Sequence, residues 1–176
     1  MSEEKSMSKE QMRDIEPAWC IVRADYANSA HASAVLRLLD EYASSPSGGA
    51  EPLSDATRAA LIPALQRSPA ALTLLAFAAG TPVGLLNAFE TLSTFKAKPL
   101  LNIHDLVVTA GWRRRGLGAA LMRAVERVGR ERGCCKLTLE VLEYNLGAQA
   151  LYREMGYAAY QLQETFGRAL FWQKEL

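Results

Sequence analysis

The sequence has few cysteines and histidines, and each shortage excludes a class of protein. Its three cysteines, Cys20, Cys134 and Cys135, are odd in number with two adjacent. This pattern fits neither a disulfide framework nor a zinc site. We interpret them as reduced core thiols. The only histidines are His31 and His104, and no metal is expected.

The sequence also has almost no net charge and no long apolar run. The 20 basic and 19 acidic residues leave a formal charge of +1, which gives no overall attraction for nucleic acid or an anionic membrane. No apolar run approaches the about 18 residues of a membrane span. Residues 1–17 are polar with mixed charge, unlike a signal or transit peptide, and are predicted to form a flexible tail. The sequence therefore predicts a cytoplasmic protein without nucleic-acid or membrane partners.

The remaining chain, 18–176, has the length and apolar content of a single domain. Its periodicities predict one α/β (α+β) domain in the order strand, two helices, three strands, helix, strand, helix, two strands. Gly80-Thr81-Pro82 is predicted to join the second and third strands. The predicted strands include Leu100–Thr109, Lys136–Val141, Tyr157–Leu162 and Arg168–Gln173. Of the four predicted helices, the first is Ser29–Tyr42, the second is capped by Ser54, the third follows Gly116 and the fourth is Gly147–Met155.

The turn before the third helix combines positive charge with glycine. Arg113–Arg115 run directly into Gly116-Leu117-Gly118. A helix N-terminus favours an anion, glycine leaves its backbone accessible, and arginine suits phosphate oxygens. The turn lacks the Lys-Ser/Thr of a Walker loop and the third glycine of a Rossmann fingerprint. It therefore predicts a phosphate site of another kind, with a solvated basic turn as the alternative.

Three blocks in order resemble one family. Arg113-x-x-Gly116-x-Gly118 resembles the signature of the GNAT superfamily of acetyl-CoA-dependent N-acetyltransferases. "NIHDLVV" is similar to the family's central strand, and "LTLEVLEYNLGAQALYREMGY" to its next strand and helix. The blocks span about Asn102 to Tyr157. The resemblance implies a mixed central sheet of about six to seven strands flanked by about four helices.

The resemblance also implies where acetyl-CoA binds. The pyrophosphate is expected on the backbone amides from Arg114 to Ala119. The pantetheine arm is expected along the central strand, which parts from the next strand at a bulge. The cofactor residues implied are Leu106, Val107, Val108, Arg113, Arg114, Arg115, Gly116, Leu117, Gly118, Ala119, Asn145 and Tyr152.

Tyr152 matches the family tyrosine that acts as general acid beside the CoA sulfur. A half-buried structural tyrosine is the alternative. No nucleophilic cysteine or serine is required, because the family transfers the acetyl group directly to the amine.

The general base is left open. His104 is the first candidate, against a core histidine bonded to a backbone carbonyl. Glu90 is the reserve, and a reaction without a protein base is the third alternative. Strand alternation puts His104 on one face with Asn102 and Leu106. Asp105 is then expected on the opposite face, with Ile103 and Val107, where it orders neighbouring backbone.

The sequence thus predicts an N-acetyltransferase that acts on a primary amine of a small molecule, peptide or protein. Two alternatives stay open: a catalytically silent acyl-CoA-binding regulatory module, and an acyltransferase for longer acyl chains. The acceptor cannot be identified from the sequence. Because family members are often dimers, a homodimer is an open alternative to a monomer.

Overall fold

The computed structural model describes residues 18–161, 165, 167 and 169–174. Five strands form one sheet in the order β1-β2-β3-β4-β5, with all neighbours antiparallel except β4 and β5, which are parallel. The predicted mixed α+β architecture with four helices is confirmed. The elements are β1 Cys20–Arg23, α1 Ser29–Ala43, α2 Asp55–Arg67, β2 Ala71–Ala78, β3 Thr81–Ser93, β4 Lys98–Val108, α3 Leu117–Glu131, β5 Leu137–Leu139 and α4 Leu146–Glu154.

Helix boundaries follow local capping signals. The Ser54 hydroxyl accepts a hydrogen bond from the Thr57 amide at 3.1 Å, and the Asn145 side chain accepts one from the Ala148 amide at 3.2 Å. After α3, Gly133 adopts a φ of +68°, which ends the helix with little strain. Because these signals act over a few residues, the sequence places the helix ends correctly.

The strand predictions are less accurate near the end of the chain. The described sheet has five strands and not six to seven, and β5 is shorter than the predicted Lys136–Val141. The last two predicted strands lie partly outside the described residues. Within 157–161 and 169–174 the backbone forms no continuous ladder, and one bond joins the Ala169 amide to the Tyr160 carbonyl at 3.3 Å. Apolar alternation indicates that a segment can form a strand, but it does not indicate which strand would pair with it.

The hairpin between β2 and β3 turns one residue earlier than predicted. Ala79 and Gly80 have φ values of 46° and 78°, and β3 begins at Thr81. Positive φ at both central residues matches the turn twist that antiparallel neighbours need. Thr81 and Pro82 therefore belong to the strand.

The sheet is covered on both faces. α3 packs on one face, where Leu86, Leu101 and Leu121 are buried together. α1 and α2 pack on the other, where Leu38, Leu75 and Leu85 form a second cluster. Burial on both sides explains the nearly continuous apolar runs of the central strands. No helix in the described part of the chain is long and apolar enough to cross a membrane.

Candidate active site

The parallel strands β4 and β5 separate after three paired residues. Leu101, Asn102 and Ile103 pair with β5, which ends at Leu139, while β4 continues to Val108. From His104 onward, no strand within the described chain pairs with this edge of β4. A free strand edge can hydrogen-bond an extended ligand. The predicted arm-binding residues Leu106, Val107 and Val108 all lie along it.

The predicted anion turn lies at the end of this free edge. The six consecutive amides of Arg114–Ala119 find no hydrogen-bond partner among the residues that the structure describes. Arg114 and Gly116 have φ values of +61° and +82°, and α3 starts directly after Gly116. Successive free amides at the positive end of a helix dipole form an anion site. The turn therefore fits a phosphate group.

The three arginines of the turn differ in their contacts. Arg113 Nε donates to the Val108 carbonyl at 2.9 Å, which ties the turn to the end of β4. The Arg115 guanidinium lies 5.2 Å from the ring centroid of Trp112. The side chain of Arg114 is exposed. The backbone thus forms the anion site, and two of the arginines also help to shape it.

The two glycines serve different purposes. A Cβ at Gly116 would meet nothing within 4 Å, so lack of space does not explain this glycine. The reason is its positive φ, which residues with a side chain rarely adopt. A Cβ at Gly118 would come 3.1 Å from Leu151 Cδ2, so this glycine lets the first turn of α3 pack against α4. The sequence explanation, that both glycines keep side chains away from the ligand, is therefore incomplete.

Tyr152 lies on α4, where its side chain packs against the core cluster on the α3 face of the sheet. Burial, and secondarily the nearby Tyr42 of α1, raises the pKa of Tyr152 to about 12. Tyr157 contacts it with ring centroids 6.1 Å apart. Tyr152 is therefore a neutral hydroxyl over the whole physiological pH range, and it can donate a hydrogen bond but does not act as a base.

A β-bulge changes which residues of β4 share a face. Asn87 pairs with Asp105 and the adjacent Ala88 pairs with Ile103, so His104 is an extra residue on β4. A bulge reverses the strand alternation beyond it. Leu106 consequently faces the α3 side with Ile103. The predicted alternation is wrong at this point.

Asp105 lies instead on the α1/α2 side, together with His104. Its Oδ2 accepts a hydrogen bond from Asn87 Nδ2 at 3.0 Å. Burial, and then the negative charge of Asp105, raises the pKa of Tyr42. The bulge thus places the Asp105 carboxylate close enough to Tyr42 of α1 for its charge to act on the pKa of that hydroxyl.

His104 is exposed at the bulge, and its ring meets Phe89 edge to face with centroids 5.6 Å apart. No hydrogen-bond partner of its ring nitrogens occurs among the described residues. The alternative of a buried core histidine does not match this environment.

Two predicted residues have other partners. Glu90 accepts a bond from Arg132 Nη1 at 2.9 Å, and strand alternation from the α1/α2-facing Phe89 puts Glu90 on the α3 side of the sheet. The structure therefore does not bring Glu90 together with His104. The side-chain oxygen of Asn145 caps α4, which leaves its amide nitrogen for a ligand.

The cysteines lie away from these groups. Cys20 is exposed, which corrects its interpretation as a core thiol, whereas Cys134 and Cys135 are half-buried. Burial raises the pKa of the Cys134 thiol, so its reactive thiolate form is disfavoured.

The fold and the site together define a class of protein. Strand β4 has a free edge beyond its pairing with β5, and this edge leads to a turn with unpaired backbone amides at the start of α3. Residues 33–157 match the acetyltransferase (GNAT) family. The chain belongs to this family, which confirms the family that the sequence motifs predicted.

Similar proteins include acetyltransferases of several amines. Streptothricin acetyltransferase of Streptomyces lavendulae is 40% identical over 75 residues, 43% of this chain and 40% of that protein. Thialysine N-epsilon-acetyltransferase of Bos taurus is 33% identical over 64 residues, 36% of this chain and 37% of that protein. These matches span less than half the length of either relative.

The fold is also similar to that of a solved aminoglycoside N-acetyltransferase, AAC(6')-Iy, in complex with CoA. The TM-score is 0.70 at 18% identity, covering 90% of this chain and 95% of the other. This likeness concerns the fold alone.

Sequence reasoning missed three residues of the site. The sequence patterns give no role to Tyr42, which lies in α1, or to Thr73 and Asn87, which lie within two apolar strands. The available signal was polarity: Thr73 and Asn87 interrupt runs of aliphatic residues and are 2% and 3% exposed. Buried polar side chains need partners, which makes such interruptions informative.

Proposed function

We propose that this protein transfers the acetyl group of acetyl-CoA to a primary amine of a small molecule that carries several amino groups. The observation that carries the proposal is the continuity of the gap between β4 and β5. The unpaired amides of Arg114–Ala119 lie at the end of the free edge of β4, and Asp105 lies on the same strand at the bulge. This order matches a ligand with a phosphate at one end and a reactive group at the other.

The side of the gap where the acceptor would bind carries negative charge. Asp105 lies at the bulge, and Glu140 directly follows the paired strand β5. Glu140 accepts bonds from Asn102 Nδ2 at 3.2 and 3.3 Å. Two carboxylates beside His104 favour a cationic acceptor with more than one amino group. The names of the relatives, which act on streptothricin, thialysine and aminoglycosides, support the same class of acceptor.

Each residue then has a chemical task. A bound acetyl-CoA supplies the acetyl thioester. Asp105 attracts and orients the ammonium group of the acceptor. His104, as the adjacent side chain without another partner in the described chain, accepts the proton that the amine must lose before it can attack. Tyr152 donates a hydrogen bond to the sulfur that leaves.

An amine panel tests the proposed function. Purified protein with acetyl-CoA should release CoA in the presence of aminoglycosides, polyamines or lysine analogues, and much less with N-terminal peptides or with monoamines. Asp105→Asn, which keeps the shape but removes the charge, should raise the acceptor KM about tenfold and leave the acetyl-CoA KM unchanged. If all amines are inert while acetyl-CoA binds tightly, the silent binding module is the better account.

The pH dependence tests His104. A base must be unprotonated to act, so kcat/KM for the acceptor should rise with pH in the wild-type enzyme. In His104→Ala the acidic limb should disappear, with a loss of about 100-fold at the plateau. Both enzymes are measured with one acceptor, because the amine itself contributes to the slope. A variant with the wild-type plateau and the same acidic limb would mean that no base acts at this position.

A further inference from the structure

Four polar side chains form a chain of hydrogen bonds beneath α1. The Tyr26 hydroxyl contacts Thr73 Oγ1 at 2.8 Å, and Thr73 Oγ1 contacts Asn87 Oδ1 at 2.5 Å. Asn87 Nδ2 in turn lies 3.0 Å from Asp105 Oδ2. The chain crosses β2, β3 and β4 in one row of the sheet register. It thus connects the loop before α1 to the carboxylate at the bulge.

The donor and acceptor in each of these hydrogen bonds follow from the bond between Asn87 and Asp105. An ionised carboxylate only accepts hydrogen bonds, so the Asn87 amide nitrogen must face Asp105. The Asn87 oxygen then faces Thr73, whose single hydroxyl proton must be donated to it. Thr73 has no proton left, so Tyr26 donates to Thr73. All three donors therefore point toward Asp105, and aligned bonds of this kind strengthen one another.

Burial makes this arrangement specific. Thr73 and Asn87 are almost fully buried among aliphatic side chains, where an unsatisfied amide or hydroxyl is costly. Turning the Asn87 amide over would place its oxygen against the Asp105 carboxylate and would lose that hydrogen bond. The neighbour of Asp105, His104, is exposed at the bulge. Among the residues that the structure describes, Asn87 is the side chain that hydrogen-bonds the Asp105 carboxylate from within the core.

We propose that Thr73 and Asn87 are positioning residues that hold the Asp105 carboxylate in the orientation needed to bind the acceptor amine. The inference rests on the proposed function, because it concerns the same carboxylate. Thr73 acts through Asn87, since the hydrogen bond that its hydroxyl donates to the Asn87 oxygen holds the amide with its nitrogen on Asp105. Neither residue touches the substrate.

Substitutions at Thr73 test the proposal. Thr73→Val keeps the shape but removes the hydroxyl, so the acceptor KM should rise about tenfold while the acetyl-CoA KM is unchanged. Thr73→Ser restores the donor and should return the acceptor KM to within about twofold of wild type. Leu72→Val is the matched control, because it shrinks the neighbouring core residue on the opposite face of β2. This control should alter stability but not the acceptor KM.

A second measurement does not depend on activity. In the wild-type protein one side-chain amide proton of Asn87 is bonded to Asp105, so its NMR signal should exchange slowly with water. The signal is assigned by its loss in Asn87→Leu. Exchange should be at least about tenfold faster in Thr73→Val and in Asp105→Ala, and nearly unchanged in Leu72→Val.

These outcomes separate the two hypotheses. An acceptor KM that is the same in Thr73→Val as in wild type, or an Asn87 signal insensitive to Thr73, would overturn the positioning role. A wild-type protein without transfer to any amine would overturn the proposed function, and the Asn87 signal would still decide whether Thr73 orients the amide toward Asp105.

Discussion

Tyr152→Phe should lower kcat by about 100-fold and leave the affinity for acetyl-CoA unchanged. The substitution removes one hydroxyl and keeps the ring that packs against Tyr157. A departing thiolate loses its hydrogen-bond donor, whereas the contacts of the ground state remain. Single-turnover rates and calorimetric titration with acetyl-CoA measure the two quantities separately.

The pH dependence follows from the raised pKa of Tyr152. With a value of about 12, the hydroxyl stays protonated well above neutrality. The wild-type kcat should therefore show no descending limb due to Tyr152 below about pH 11, one unit below that value. Tyr152→Phe should lower the plateau without moving the acidic limb.

Tyr157→Phe is the matched control. Tyr157 is also a half-buried tyrosine with a pKa raised by burial to about 12, and its buried hydroxyl has no partner in the described chain. Removing an unsatisfied hydroxyl should leave kcat near the wild-type value and should not destabilise the protein. Equal losses of kcat in both variants, or a wild-type kcat in Tyr152→Phe, would contradict the role of Tyr152 as proton donor.

The second large effect is expected on cofactor binding. Ala119→Glu should weaken CoA binding about 100-fold at low ionic strength, because its carboxylate competes with the pyrophosphate for the free amides of the turn. Ala119 is the third residue of α3, and a glutamate there can reach back to the amide of Gly116, the N-cap residue.

The same change should not harm folding. The first turn of α3 contains no acidic residue, so a glutamate at this place stabilises the helix by about 0.3–1 kcal/mol. The melting temperature should stay level or rise while CoA affinity falls. A variant that lost affinity because it folds poorly would instead have a lower melting temperature. Ala119→Gln, similar in size but uncharged, should bind CoA within about tenfold of wild type. Unchanged CoA affinity in Ala119→Glu would remove the turn from the cofactor site.

Much of the backbone geometry at the proposed cofactor site could be predicted because its signals are local. The positive φ of Gly116, the amides of α3 and the cap at Asn145 depend on residues within one turn of the chain. Gly118 is the exception within this stretch. Its contact with Leu151 depends on where α4 packs, which no neighbouring residue indicates.

The acceptor side was harder to predict because it depends on strand register. One extra residue at His104 turns Asp105 to the α1/α2 side of the sheet, and the alternation of β4 alone gives no sign of it. Glu90, the reserve candidate for the general base, also depends on which face of the sheet a side chain occupies. It is near His104 along the sheet, but it lies on the opposite face, where it pairs with Arg132 from the end of α3.

The sequence by itself determined the four helices, the first four strands, the backbone turn before α3 and the family, since each follows from short-range patterns of apolarity, glycine and charge. Only the tertiary structure decided which polar groups meet. Tyr26, Thr73, Asn87 and Asp105 come from a loop and three strands, and their side chains meet because the sheet register aligns them. Because these polar side chains pack beneath α1, they need hydrogen-bond partners within the protein. With these partners, all three donors point toward the Asp105 carboxylate.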